Sequence, residues 1–216
     1  MRNRRMAAAV TGFLAMGAAV AIAAAPAAFA QQAITVTNPN GNNAVAAHTD
    51  RVDLRNVTSG VDFFCVTSGS VRASTANGSI NSGSYTTPAD VGDLNVTFNN
   101  CDGPLGPGTA VPNPGSQPYD LVITGTSGGT STGYVGPVDV HVSMAGCDFD
   151  VVGHAPGRYN NANVLTMDPA VALPAGVAPL SPTSIVGCFG LVNPGDQLSY
   201  GAAYNVTNPA SPIIIS

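Results

Sequence analysis

Glycine and proline divide this 216-residue chain into short segments. It contains 25 Gly and 17 Pro, and no stretch keeps a helical period for more than about three turns. The runs between these residues are rich in Val, Ile, Thr, Tyr and Phe, which favour strands. The run Val138–Val142 alternates strictly, with Asp139 and His141 on the face opposite the valines, as in a half-buried strand with an exposed polar pair. The pattern predicts an all-β protein.

Nine segments have the composition and the turn-residue boundaries of strands. They are Ile34–Thr37, Val52–Val57, Val61–Thr67, Leu94–Phe98, Tyr119–Thr124, Val138–Ser143, Ser184–Val192, Leu198–Val206 and Ile213–Ile215. The chain has no Lys and no Glu, so two of the strong helix formers are missing. We therefore expect a single antiparallel β-sandwich or flattened barrel with two disulfides and long polar loops.

Residues 1–30 have the layout of a secretory signal peptide. Arg2, Arg4 and Arg5 form a basic start, an apolar run follows to about Ala25, and small residues surround a cleavage point after Ala30. The mature chain would then be one all-β domain over residues 31–216, secreted and extracellular. No later apolar run reaches the roughly 20 residues that a membrane helix needs, so we expect no membrane span.

The charged residues restrict the partners of the predicted mature chain. All 12 acidic residues of the protein are Asp, and three of its seven Arg lie in the predicted signal peptide. The remaining four Arg against 12 Asp give a formal net charge of −8 (4 − 12). An acidic surface repels phosphate backbones and anionic lipids, so nucleic acid and anionic membrane surfaces are not expected as partners.

The four cysteines, Cys65, Cys101, Cys147 and Cys188, predict disulfides, because an even number in an exported chain is typical of a disulfide framework. No Cys-x-x-Cys pair is present, which disfavours zinc and redox motifs. Of the three possible pairings we favour Cys65–Cys101 and Cys147–Cys188, since these join successive segments. A phenylalanine lies near each cysteine, Phe189 among them, and this predicts sulfurs that are buried beside aromatic rings.

One short motif raises the possibility of catalysis. Gly125–Gly129 matches the Gly-x-Ser-x-Gly string of a nucleophile elbow, with Ser127 as the nucleophile. The elbow must lead into a helix, whereas the following residues predict a loop and then a strand. None of the histidines, His48, His141 and His154, stands in a pattern typical of a general base. We therefore expect no enzyme activity and no cofactor, and a secreted serine hydrolase using Ser127 is the less favoured alternative.

Oxygen-bearing side chains suggest another alternative, a secreted calcium- or glycan-binding module. Asn99, Asn100 and Asp102 lie together, and two further acidic pairs are Asp90 with Asp93 and Asp148 with Asp150. Calcium takes several oxygen ligands at once, but no Asp-x-Asp-x-Asp-Gly loop is present, and the capping of turns explains these residues. The chain has no Trp and its six Tyr are scattered, so no sugar-stacking surface stands out. The sequence assigns no metal site.

Several blocks of the sequence resemble a known layout. They are the Val36–Pro39 strand, Asn99–Pro104, the Gly146–Cys147 pair, Gly187–Asp196 and the terminal strand. Together with the signal peptide they resemble small secreted β-rich proteins of unknown function from actinobacteria. The layout is also distantly similar to secreted proteins named as activators of alkane oxidation. The resemblance implies an extracellular, surface- or matrix-associated, non-enzymatic protein and brings no catalytic residues with it.

The sequence thus leads us to expect a non-catalytic exported structural or interaction protein of the cell surface or extracellular matrix. It does not identify the surface or matrix partner. Ile213, Ile214 and Ile215 have two interpretations. They form either a last strand that packs on the core or an edge strand that pairs with a second copy of the chain, because open strand edges template association.

Overall fold

The computed structural model describes residues 30–216, which form sixteen β-strands and no helix. In chain order the strands are β1 (Ala33–Thr37), β2 (Ala44–Thr49), β3 (Arg51–Asn56), β4 (Asp62–Val66), β5 (Ser74–Ile80), β6 (Gly83–Thr86), β7 (Ala89–Phe98), β8 (Cys101–Gly103), β9 (Gly106–Pro112), β10 (Tyr119–Ser127), β11 (Thr130–Met144), β12 (Cys147–Asn160), β13 (Val164–Met167), β14 (Ser181–Gly187), β15 (Leu198–Asn208) and β16 (Ile214–Ile215). The predicted all-β class is confirmed. The predicted signal peptide lies outside the described residues except for Ala30.

Within this range the structure contains no helix that could cross a membrane.

Thirteen of the strands form one antiparallel sheet that closes on itself. Starting from β12, the pairings run through β13, β15, β2, β5, β7, β10 and β11 and return to β12. Long strands make this closure possible, because β11 and β12 have 15 and 14 residues and each pairs with different neighbours along its length. The inward faces of the ring carry the apolar residues and enclose the core.

The sheet divides into two branches at Asp50. β2 and β3 are nearly one continuous strand, and both pair antiparallel with β15. On the opposite side β2 pairs with β5, whereas β3 pairs with β4. The second branch continues from β4 through β8 and β9 to the C-terminal half of β11. The two branches therefore meet again at β11, and the protein has one interior with two ends.

A small sheet of β16, β1 and β6 covers one end of this interior. Ile213 and Ile215 are buried, whereas the Ile214 side chain faces outward and is 39% exposed. The backbone of this segment is bonded to β1 and also to two asparagines, since Asn161 and Asn163 accept hydrogen bonds from the amides of Ile215 and Ile213. The terminal isoleucines thus form a last strand that packs on the core, which was one of the two interpretations.

Both disulfides have the predicted pairing. Cys65–Cys101 joins β4 to β8, and Cys147–Cys188 joins the start of β12 to the turn after β14. Cys147 and Cys188 are fully buried, and the rings of Phe63 and Phe149 pack against each other in the core with centroids 5.3 Å apart.

One part of the cysteine prediction is wrong. Phe189 does not cover a buried sulfur but is 77% exposed, because the backbone turns outward directly after Cys188.

Candidate functional site

The outer face of four neighbouring strands, β9, β11, β12 and β14, collects polar side chains from distant parts of the sequence. Val111 pairs with His141, which pairs in turn with Asp150. Paired residues of antiparallel strands point to the same side, and so do residues two positions apart on one strand. Asp139 and Asp148 therefore lie on the same side. We call this surface the His141 face, made of Asn113, Asp139, His141, Asp148 and Asp150.

Hydrogen bonds connect the members of the His141 face. The His141 Nδ1 atom lies 2.8 Å from Asp150 Oδ1, and its Nε2 atom lies 3.8 Å from Asp148 Oδ1. The Asn113 amide donates to Asp139 Oδ1 at 2.6 Å and to Asp150 Oδ1 at 3.4 Å. The imidazole ring thus lies between two carboxylates, and the amide of Asn113 connects the third.

Asp150 is held in its ionised form. Hydrogen bonds from Ser184 and from His141 lower the pKa of the Asp150 carboxyl below its usual value, against the opposing effect of partial burial. A carboxylate that accepts several hydrogen bonds keeps its negative charge at neutral pH. The His141 face is therefore a polar surface with fixed negative charge. Within residues 30–216 no group of three or more His, Cys or Asp side chains is arranged to hold a metal ion.

An exposed apolar border adjoins this polar face at β14. Val186 pairs with Asp148, so it lies on the same side, and its side chain is 65% exposed. The following residues, Gly187–Gly190, form a tight turn that we call the Phe189 turn. The Phe189 ring lies beside Gly146, since a Cβ atom added at that glycine would be 3.1 Å from Phe189 Cε2. The most exposed large apolar side chain among the described residues therefore lies at the β11–β12 turn, at the end of the strands that carry the carboxylates.

The Phe189 turn has an unusual backbone. Its four residues all have positive φ angles, and for Cys188 and Phe189 these are 41° and 48°. A residue with a side chain rarely adopts this left-handed region, and it persists only where the surroundings impose it. Here the Cys147–Cys188 disulfide fixes the turn, together with a hydrogen bond from the Cys188 amide to the Gly146 carbonyl at 3.1 Å. The turn therefore holds the backbone of an exposed aromatic residue in one conformation.

Strand β14 is the open edge of the large sheet, since β12 is its one neighbour there. An open edge is a template for the pairing of another chain, and natural sheets protect such edges with proline and with bulges. β14 has both devices. Pro182 lacks an amide donor, and the register between β12 and β14 shifts near Ser184, which has a φ of 52°. The edge is thus shielded from strand addition, and the exposed side chains of β14 remain accessible.

Ser127 lies in a hairpin and not in a nucleophile elbow. It is the last residue of β10, and the chain passes through Gly128 and Gly129 directly into β11, where Ser127 pairs with Thr130. The strand predicted after the motif is present, but it begins at Thr130, so the residues predicted as a loop before it belong to the strand as well. No hydrogen bond links Ser127 to a histidine in the part of the chain that the structure describes.

The loop residues considered for calcium bond to the backbone around them. The side-chain amides of Asn99 and Asn100 donate to the carbonyls of Arg72 and Val66, and the carboxylate of Asp102 accepts from the Gly103 amide. These contacts agree with the interpretation of the residues as caps of turns.

The acidic pair of Asp90 and Asp93 lies on the outer face of β7, next to Asp120 of β10. Asp120 pairs directly with Asp93, and Asp90 is nearby. Burial raises the pKa of Asp120 above its usual value, and the two neighbouring carboxylates raise it further. The cluster is therefore one of mutually repelling carboxylates.

Sequence reasoning placed Asp139 and His141 on one face but missed their neighbours. The sequence feature that could have identified these neighbours is the Ala145–Gly146 turn. A tight hairpin there brings β12 back along β11 and sets Asp150 opposite His141.

A comparison of this chain with protein-family models, with curated proteins and with solved structures gave no match.

Proposed function

We propose that this chain is a non-catalytic exported protein of the cell surface or extracellular matrix. It binds its partner through the His141 face and the Phe189 turn. The two disulfides support the export, because such bonds form and persist in oxidising compartments. The resemblance of the sequence blocks to small secreted actinobacterial proteins of unknown function supports the same proposal.

The Phe189 turn is the observation that carries the proposal. An aromatic side chain that is 77% exposed contributes little to the core, yet its backbone is held in a disfavoured conformation by a disulfide. Strain of this kind collects at binding sites, where it positions a side chain in advance. Aromatic anchors surrounded by polar groups dominate the energy of protein interfaces. Burying the Phe189 ring in a partner would contribute roughly 2–3 kcal/mol.

The charges of the face define the chemistry of the partner. Asp139, Asp148 and Asp150 lie on one side of the sheet, and the whole predicted mature chain is acidic. Complementary charge steers association and selects partners. We therefore expect a surface or matrix component that presents cationic groups next to an apolar pocket.

The experiment measures how much purified protein is retained by the wall and matrix fraction of the cells that export it. We expect Phe189→Ala to reduce retention by about tenfold, as for an interface anchor. Val186→Ala and Val57→Ala form a matched pair, because both valines are exposed and only Val186 borders the His141 face. The first should weaken retention and the second should leave it unchanged.

Changing the charge of the His141 face provides an independent test of the same site. Asp148→Asn should lower the association rate and make binding less sensitive to salt. Equal retention of the Phe189→Ala variant and the unchanged protein would remove the proposal. If Val57→Ala and Val186→Ala reduced retention equally, the protein would adhere without a defined binding site.

Self-association through Ile213, Ile214 and Ile215 stays a prediction. Light scattering after size exclusion, with and without Ile214→Asn, tests it, because Ile214 is the outward-facing residue of the three.

A calcium- or glycan-binding module and a serine hydrolase using Ser127 are alternatives that no contact of the described residues favours. Calorimetry with calcium and a glycan panel, and ester hydrolysis by Ser127→Ala, test them.

A further inference from the structure

The inner face of the closed sheet lines a cavity of about 100 Å³. Its walls come from both branches, with Phe63 from β4, Val140 and Val142 from β11, Leu165 from β13 and Tyr200 from β15. Protein interiors are packed as densely as organic crystals, and few of their voids exceed the size of a water molecule. A cavity of this size is therefore a feature of the fold that needs an explanation.

The cavity wall is almost wholly apolar. The hydroxyls of its three tyrosines are already paired, since Tyr200 is bonded to Tyr204 at 2.7 Å, Tyr204 to Ser74 Oγ at 2.7 Å, and Tyr119 donates to the Asp139 carbonyl at 3.0 Å. No buried side-chain nitrogen or oxygen within residues 30–216 lacks a hydrogen-bond partner. A buried water needs two to four polar partners, and apolar cavities without them stay dry and take up apolar molecules.

A smaller cavity of about 30 Å³ lies beside the first, towards the end covered by β1, β6 and β16. The two cavities share five wall residues, which are Ala76, Leu94, Val135, Leu165 and Met167. Methionine is unbranched and adapts its shape easily, so the wall between the cavities contains a movable side chain. The larger cavity alone has about two thirds of the volume of an engineered apolar cavity of about 150 Å³ that binds benzene.

We infer that the interior of this protein binds a small apolar molecule with the character of a hydrocarbon and about the size of benzene. The inference is independent of the proposed surface function, because none of the wall residues of the cavities belongs to the His141 face or to the Phe189 turn. Binding depends on shape and on the absence of polar groups, so the ligand carries no charge.

Xenon and benzene are suitable probes. In solution we expect the ¹²⁹Xe resonance to shift saturably with protein concentration. Benzene should shift the methyl resonances of Val140, Val142 and Leu165, which line the cavity, and leave those of the exposed Val57 unchanged. These measurements use the unaltered protein and do not depend on the folding of any variant. Lining methyl resonances that stay unchanged in saturated benzene would overturn the inference.

A matched pair of variants locates the binding. Ala155 and Ala89 are both buried strand alanines, but only Ala155 lines the large cavity. Ala155→Val places two methyl groups in that space and should weaken benzene binding by about tenfold or more. Ala89→Val should leave the affinity unchanged. Equal benzene affinity of the two variants would place the bound molecule elsewhere and refute the assignment.

Discussion

At the scale of single residues, Phe189 shows a conflict between stability and exposure. Its backbone lies in the left-handed region, which a residue with a Cβ adopts at a cost of roughly 1–2 kcal/mol. Its ring is mostly in solvent and returns little of this cost through burial. The residue is thus explained better by what it offers to a partner than by what it contributes to the fold.

Substitution of Phe189 by glycine should therefore stabilise the protein. We expect Phe189→Gly to raise the free energy of unfolding by about 1 kcal/mol, because glycine adopts positive φ without a steric penalty. Urea denaturation provides the measurement. Phe189→Ala is the control, since it removes the ring but keeps the Cβ atom and should bring no such gain. A loss of stability with glycine would mean that the ring packs on Gly146 more firmly than its exposure indicates.

Tyr159 provides a prediction about alkaline pH. Burial raises the pKa of its phenol to about 12, although its hydroxyl donates to the Ile213 carbonyl at 2.9 Å. An unfolded tyrosine ionises near pH 10, so this group contributes its full stability below that pH and loses it as the pH rises from about 10 to about 12. Tyr159→Phe should flatten the decline of stability in this window. Tyr85→Phe, on the outer strand β6, is the control for the loss of a hydroxyl.

At the scale of strands, the sequence predicted those elements whose alternation is regular. The C-terminal half of β11 and the end of β7 alternate apolar and polar residues, and both were found. β5 was missed because its residues Ser-Thr-Ala-Asn-Gly-Ser-Ile are small and polar, although it lies between two strands. β12 was missed because Gly153, Pro156 and Gly157 resemble breakers. Gly153 instead has a φ of 122° in a bulged part of the ladder.

Other features could not be predicted from local patterns at all. The closure of the sheet depends on pairs that are far apart in sequence, such as β15 with β2 and β3. The predicted strand Ser184–Val192 also ended too late, because the positive φ angles after Val186 stop the strand at Gly187. At the candidate site, the shared face of Asp139 and His141 was predicted from the alternation of apolar and polar residues. The exposure of Phe189 was not predicted, because the adjacent Cys188 suggested that its ring would be buried.

The pairing of β5 with β7 depends on two glycines, Gly78 and Gly92, each of which lies against the backbone of the opposite strand. A Cβ atom at Gly92 would lie 2.0 Å from the Ser79 carbonyl oxygen, and one at Gly78 would lie 1.8 Å from that of Asp93. We expect Gly92→Ala to destabilise the protein by roughly 2 kcal/mol or more, because the strands must separate. Gly41→Ala is the control, since nothing lies within 4 Å of its added atom. Thermal unfolding of both variants measures the difference, and equal midpoints would contradict the close approach.

At the scale of the whole molecule, two disulfides fasten different parts of one closed sheet. Cys65–Cys101 joins two strands of the second branch and closes a loop of 36 residues, and Cys147–Cys188 holds the Phe189 turn and closes one of 41 residues. Loops of these lengths restrict the unfolded chain to a similar degree. The two bonds should therefore resemble each other in stability and differ in their effect on the candidate site.

Removing each disulfide in turn separates its effect on stability from its effect on the candidate site. We expect the Cys65→Ala/Cys101→Ala and Cys147→Ala/Cys188→Ala variants each to lose about 4 kcal/mol of unfolding free energy. The second variant should also lose retention on the wall and matrix fraction, because its turn no longer holds Phe189 in place. Guanidinium titration gives the stability, and the retention assay gives the function. Equal loss of retention in both variants would show that the turn needs overall stability and not its own disulfide.

The strand pair β1–β16 has a consequence for the order of folding. Val36 and Ile215 are direct partners, although 179 positions separate them along the chain. A chain that is made from its N-terminus leaves β1 unpaired on this side until Ile214 and Ile215 have been made, whereas the β11–β12 hairpin closes as soon as its two strands are made. We therefore expect the small sheet to assemble last and to exchange its amide hydrogens first. Ile213 and Ile215 line the smaller cavity, so we expect the opening of this small sheet to affect how fast benzene enters and leaves.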